Sequence, residues 1–169
     1  AGVRLVSDGQ NLSGSVNGLV LTGAHAAVRG LAISGFSGSC LVLSGDGSSA
    51  GGDSTARQGN RFGSCGVAIG LLGPAGSATG NIIGVDASGQ AAPVGTGILI
   101  AGQGATVGGE SADGHFANRI GNATTAIEVG QPGGANASGA VITRNIIGRD
   151  PQANPAPVTF GVLIQPPSG

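Results

Sequence analysis

Short runs of Val, Leu and Ile recur along the chain, with apolar residues at positions two apart and segments rich in Ala, Gly, Ser and Asn between them. Such alternation marks a half-buried strand, and runs of four or five residues are too short for helices. One run type appears as GLVL at Gly18, CLVL at Cys40, GVAI at Gly66, GILI at Gly97, AIEV at Ala126 and GVLI at Gly161, at spacings of 22, 26, 31, 29 and 35 residues. A second type falls between successive copies: GLAISG at Gly30, GNRFGS at Gly59, GNIIGV at Gly80, ANRIGN at Ala117 and RNIIGR at Arg144. Less regular segments, AAVR at Ala26, ATVGG at Ala105 and AVIT at Ala140, supply a third.

A longer repeat encloses these runs. Asn81 to Ile100 (NIIGVDASGQAAPVGTGILI) and Asn145 to Ile164 (NIIGRDPQANPAPVTFGVLI) align without gaps at an offset of 64 residues, with 11 of 20 positions identical. A unit carrying three short strands cannot bury its apolar side alone, so successive units must stack and share a core. The pattern predicts an all-β fold, a right-handed parallel β-helix (β-solenoid) of about six turns forming a single domain over residues 1–169. At about 4.8 Å between parallel strands the stack rises roughly 29 Å, and the hand follows from the usual sense of parallel crossovers. The opening VRLVSDG at Val3 reads as the interior of a first turn, so the chain is expected to be a fragment or processed part of a longer one.

Period-two alternation assigns faces. Leu19, Leu41, Val67, Ile98, Ile127 and Val162 form one inward column, and Leu21, Leu43, Ile69, Ile100, Val129 and Ile164 a second. Ile33, Phe62, Ile83, Ile120 and Ile147 form the inward column of the other ladder, with Asn60, Asn81, Asn118 and Asn145 two residues before it as a structural ladder of stacked amides. The outward positions are Val20, Val42, Ala68, Leu99, Glu128 and Leu163, five of six apolar. Solvated strands put polar residues there, so Val20, Val42, Ala68, Leu99 and Leu163 are an interaction stripe expected to pack against another surface. A covering loop (Gly45–Gly59) or the Pro-rich C-terminus is the other reading.

Composition narrows the function. The 36 glycines disfavour helices, while 40% apolar residues set the chain apart from a disordered linker. Charged residues make up 9% and the net charge is −1, which gives no footprint for nucleic acid or an anionic membrane. No apolar run is long enough to span a bilayer. The segments VRGLAISGFSG at Val28, NIIGVDASGQAAPVGTGILI at Asn81 and ATVGG at Ala105 resemble a bacterial family, the secreted right-handed parallel β-helix repeat proteins of the pectin-lyase-like fold class. The resemblance covers nearly the whole chain. It implies an extracellular or cell-surface location, in a class that holds surface and adhesin-like proteins as well as polysaccharide-active enzymes.

Candidate chemistry is sparse. Asp86 and Asp150 close IGxD motifs, where a carboxylate caps the following turn; calcium binding is the lesser reading. Glu110, Asp113 and His115 share the longest loop, which reads as a polar surface segment. Lysine is absent and the acids are dispersed, so neither a lyase base with its calcium cluster nor a glycosidase carboxylate pair is evident. GSSAG at Gly47 matches a nucleophile elbow in letters only, because no helix follows. Cys40 and Cys65 lie 25 residues apart, one turn of the coil, which leaves a disulfide or two buried thiols open. No cofactor is expected. The reading that best joins these features is a non-catalytic extracellular structural or self-assembling element (filament or surface), partnered by itself or a neighbouring surface protein. The alternatives are a carbohydrate-binding or polysaccharide-active β-helix, and an adhesin or spacer module; sugar platforms lean on Trp and Tyr, and the chain has neither.

Overall fold

The computed structural model describes residues 6–109, 113–130 and 137–166. All regular structure in them is β, in three parallel sheets. The first sheet stacks β1 (Val6–Asp8), β4 (Ala32–Ser34), β7 (Arg61–Gly63), β10 (Ile82–Ile83), β13 (Arg119–Ile120) and β16 (Ile146–Ile147). The second stacks β2 (Leu19–Leu21), β5 (Ser39–Leu43), β8 (Val67–Leu71), β11 (Val94–Ile100), β14 (Ala123–Val129) and β17 (Val158–Ile164). The third stacks β3 (Ala27–Val28), β6 (Ser49–Gly51), β9 (Ser77–Thr79), β12 (Thr106–Val107) and β15 (Val141–Ile142). Every strand pairs with the strand three places before or after it, so each passage through the three sheets is one turn, with turn 1 starting at β1 and turn 6 at β16.

The sequence forces short strands because each run ends on a residue that bends the chain. Gly45, Gly73 and Gly102 stack at one corner, and a Cβ on Gly73 or Gly102 would sit 2.6 or 1.9 Å from the glycine carbonyl of the turn before. Only glycine lets the turns approach this closely there. One apolar cluster then draws from all three sheets: Ile33, Phe62, Ile83 and Ile120 from the first, Leu41, Ile69, Ile98 and Ile127 from the second, Val28, Ala50, Ala78 and Val107 from the third.

The register departs from the sequence reading at β8. Leu41 pairs with Ile69 and Leu43 with Leu71, so Ile69 belongs to the first inward column and Leu71 fills the second. Val67 pairs with Ser39 and Thr96 instead, outside the core cluster. Ala68 consequently leaves the proposed outward stripe: it is fully buried in the core with Cys40 and Ala126, and Gly70 takes the place between Val42 and Leu99. The physical reason is a break in alternation where the second sheet begins, with Ala68 and Ile69 successive core residues.

Candidate functional site

Four features stand out from the stack: the asparagine ladder, the long corners, the outward column of the second sheet, and the end face at turn 6. The ladder is a chain of buried amides. Asn60 Nδ2 donates to Asn81 Oδ1 at 3.0 Å, Asn81 Nδ2 to Asn118 Oδ1 at 3.0 Å, and Asn118 Nδ2 to Asn145 Oδ1 at 2.9 Å. The same oxygens accept backbone N–H groups of the preceding turn, from Asn60 to Asn81 and from Asn81 to Asn118. Each remaining amide hydrogen reaches a carbonyl of the third sheet: Val28, Ala50, Ala78 and Val107 in turn. Every polar atom is satisfied inside the wall, which suits a structural role for Asn60, Asn81 and Asn118.

The corner between first and second sheets varies in length from turn to turn. It takes ten residues in turns 4 and 6 (84–93 and 148–157) but two in turn 5 (121–122). In the long corners Asp86 Oδ1 accepts N–H bonds from Ser88 and Gln90, each at 2.9 Å, and Asp150 Oδ1 accepts from Gln152 and Asn154 at 2.9 and 2.8 Å. These bonds, led by the Ser88 hydroxyl for Asp86 and the Asn154 side chain for Asp150, hold both carboxyls below the ordinary aspartate value. With their lone pairs on the loop itself, the two residues act as turn caps. Asp53 caps the 53–58 segment in the same way through Thr55, a role the sequence reading passed over although Asp-x-Thr signals it. Between the long corners lies an open groove of about 310 Å³, walled by Pro93 and Pro157 and floored by Asn122, Ala123 and Thr124. None of its described lining residues carries a titratable group.

Cys40 and Cys65 are joined by a disulfide, with Cα atoms 5.7 Å apart. The pairing residue of Cys40 on turn 3 is Ala68 rather than Gly66, so the bond reaches back three positions across the corner. Asp113 is exposed and His115 half-buried, while Glu110 lies outside the described residues. Among the described residues no group of three or more His, Cys, Asp or Glu is placed to hold a metal, and no helix is long and apolar enough to cross a membrane.

The outward column of the second sheet is Val20, Val42, Gly70, Leu99, Glu128 and Leu163. Val20 is 48% exposed, but the stripe is not continuous. Val42 and Leu99 are 8% and 6% exposed, and the Leu72 side chain lies 3.8 Å from where a Cβ on Gly70 would stand. Bare apolar surface also lies at Leu12 and Leu72, 54% and 40% exposed, and four further residues carry it. Val141, Phe160, Val162 and Ile164, all in turns 5 and 6, are 53%, 50%, 46% and 73% exposed. Val162 and Ile164 continue the inward columns of Ile127 and Val129, yet β17 is the last strand of its sheet and nothing covers its outer edge among the described residues. The chain matches no protein-family model, no curated protein and no solved structure.

Proposed function

We propose that this chain is a non-catalytic structural element of an extracellular or cell-surface assembly, a right-handed parallel β-helix that assembles through the exposed apolar residues of β17. The likeness to bacterial secreted β-helix repeat proteins and the coiling order of the three sheets support the fold. The Cys40–Cys65 disulfide supports an oxidising compartment. The observation that carries the function is the core-type apolar column of β17, bare at Val162 and Ile164. Core positions that face water are an unmet demand for burial, and unpaired parallel strand edges beside them template further pairing.

Sedimentation velocity from micromolar to millimolar concentration tests this. The expected result is concentration-dependent association that V162D and I164D abolish, with no reducing-sugar release from acidic polysaccharides. A monodisperse monomer throughout the range, or sugar release, overturns the reading.

A further inference from the structure

The corner of turn 1, residues 9–18, ends on the one Asn-Gly pair in the chain. Of nine asparagines only Asn17 precedes glycine, whereas the ladder residues Asn60, Asn81, Asn118 and Asn145 precede Arg or Ile. The difference bears on the chemistry of the side-chain amide. The backbone nitrogen after an asparagine can attack its side-chain carbonyl carbon and close a five-membered imide. A side chain on the following residue hinders that approach, and glycine has none. Asparagine is for this reason among the thermolabile residues. Asn17 is exposed, as is every residue from Gln10 to Ser15 in the same corner.

One residue of turn 2 holds both reacting groups. Asn17 Oδ1 accepts the Ser39 N–H at 2.7 Å, and the Gly18 N–H donates to the Ser39 carbonyl at 2.9 Å. Ser39 is itself well anchored: it pairs with Val67 of turn 3, and its neighbour Cys40 is fully buried and bonded to Cys65. The surroundings leave no slack. An ideal Cβ on Gly18 would stand 2.6 Å from the Cys40 carbonyl and 2.9 Å from the Phe36 ring, and one on Gly38 would stand 2.5 Å from Asn17 Oδ1. Peptide resonance makes the Gly18 nitrogen a nucleophile only after it loses its proton. That proton is held by the Ser39 carbonyl, and the imide closes only once both bonds to Ser39 are broken.

We propose that Asn17–Gly18 is a conditional modification site, guarded while turn 1 pairs with turn 2 at Ser39 and deamidated when that pairing opens. The Gly18 nitrogen gives up its proton and forms a bond to Asn17 Cγ. The Cγ–Nδ2 bond breaks, and the side-chain nitrogen takes up a proton and leaves as ammonia. Water then opens the imide at either carbonyl, which gives aspartate or isoaspartate at position 17. Base speeds the first step, and no oxidant, metal or cofactor enters the balance.

The two products differ in what they allow afterwards. Aspartate keeps an oxygen where Oδ1 stood and can accept the Ser39 N–H again. Isoaspartate routes the backbone through the side-chain methylene, which displaces Gly18 from a position already packed against the Cys40 carbonyl and Phe36. The Gly18 bond to Ser39 then cannot re-form. A reversible local opening is thereby converted into a permanent one, as happens when an opened chain is chemically altered faster than it refolds.

The test incubates the intact, disulfide-bonded chain at mildly alkaline pH, folded and in denaturing urea. The tryptic peptide 5–29 is then followed by mass spectrometry, with fragmentation that separates aspartate from isoaspartate. Conversion at Asn17 should be at least about tenfold slower in the folded chain than in urea, and in urea faster than at any other asparagine. S39P removes the donor to Asn17 Oδ1 and should raise the folded rate toward the unfolded one. If S39P does not fold, urea below the unfolding transition takes its place, and conversion should rise in step with hydrogen exchange at the Gly18 amide. The isoaspartate form should lose protection at that amide, while N17D retains it. Equal rates in the folded and unfolded chain, conversion that does not follow Gly18 exchange, or an isoaspartate form with Gly18 still protected overturns the proposal.

Discussion

Turns 4 and 6 carry the same repeat, identical at 11 of 20 positions, in two surroundings. Ile98 and Ile100 in turn 4 are fully buried, while their counterparts Val162 and Ile164 are 46% and 73% exposed. Asn81 is fully buried and shares bonds with both adjoining turns, while Asn145 bonds only toward the turn before it and to its own loop. Burial in such a stack is conferred by the next turn, and stability is close to a sum of turn and interface contributions. A residue's energetic weight therefore follows from its neighbours, and identical letters carry different consequences at the middle and at the end.

The largest effect should come from trimming the same column in the two places. I100A removes a fully buried side chain and should cost about 3–4 kcal/mol, whereas I164A at the open rung should cost under about 1 kcal/mol, measured by urea unfolding. Equal losses would mean that something covers turn 6 in solution. Reduction of Cys40–Cys65, which lies outside both turns, should lower stability by about 3 kcal/mol for its 25-residue loop while leaving the I100A to I164A gap intact. Next comes the ladder: N81A strands the Asn60 N–H and amide and should cost about 2 kcal/mol, against about 1 kcal/mol for N145A.

The smallest difference concerns the caps. Asp86 and Asp150 both have carboxyls lowered by the hydrogen bonds their loops donate. Their stabilisation is therefore present above the unfolded aspartate value, near about 4, and fades as pH falls through the lower folded value. Carboxyl titrations by NMR should show both midpoints below about 4, and D86N should remove the acid-dependent opening of residues 84–93 without touching 148–157.

Much of the fold was legible because period-two runs at one-turn spacing leave few other arrangements. The inward columns at Leu19, Leu41, Ile98 and Ile127 lie where alternation puts them. Alternation fixes parity but not which of Val67, Ile69 or Leu71 meets Leu41, and matching GVAI to CLVL by its first residue slipped β8 by two. The better signal lay downstream, where Gly45-x-x-x-Ser49-Ala50 and Gly73-x-x-x-Ser77-Ala78 stand 28 residues apart, the offset that pairs Leu41 with Ile69. Ala68 could not be placed from a period of two because it sits where that period breaks. The end face was illegible for another reason: turn 6 reads like turn 4, and no pattern within a strand says whether another strand will lie beside it.

The disulfide gives the molecule a mechanical asymmetry. It ties turns 2 and 3 and leaves turn 1 and turns 4 to 6 held by packing and hydrogen bonds alone. Tension along the chain should strip the untied turns from the linked pair first, each freed residue lengthening the tether by up to about 3.5 Å. The segment between Cys40 and Cys65 stays folded into the linkage as hidden length until a reductant releases it.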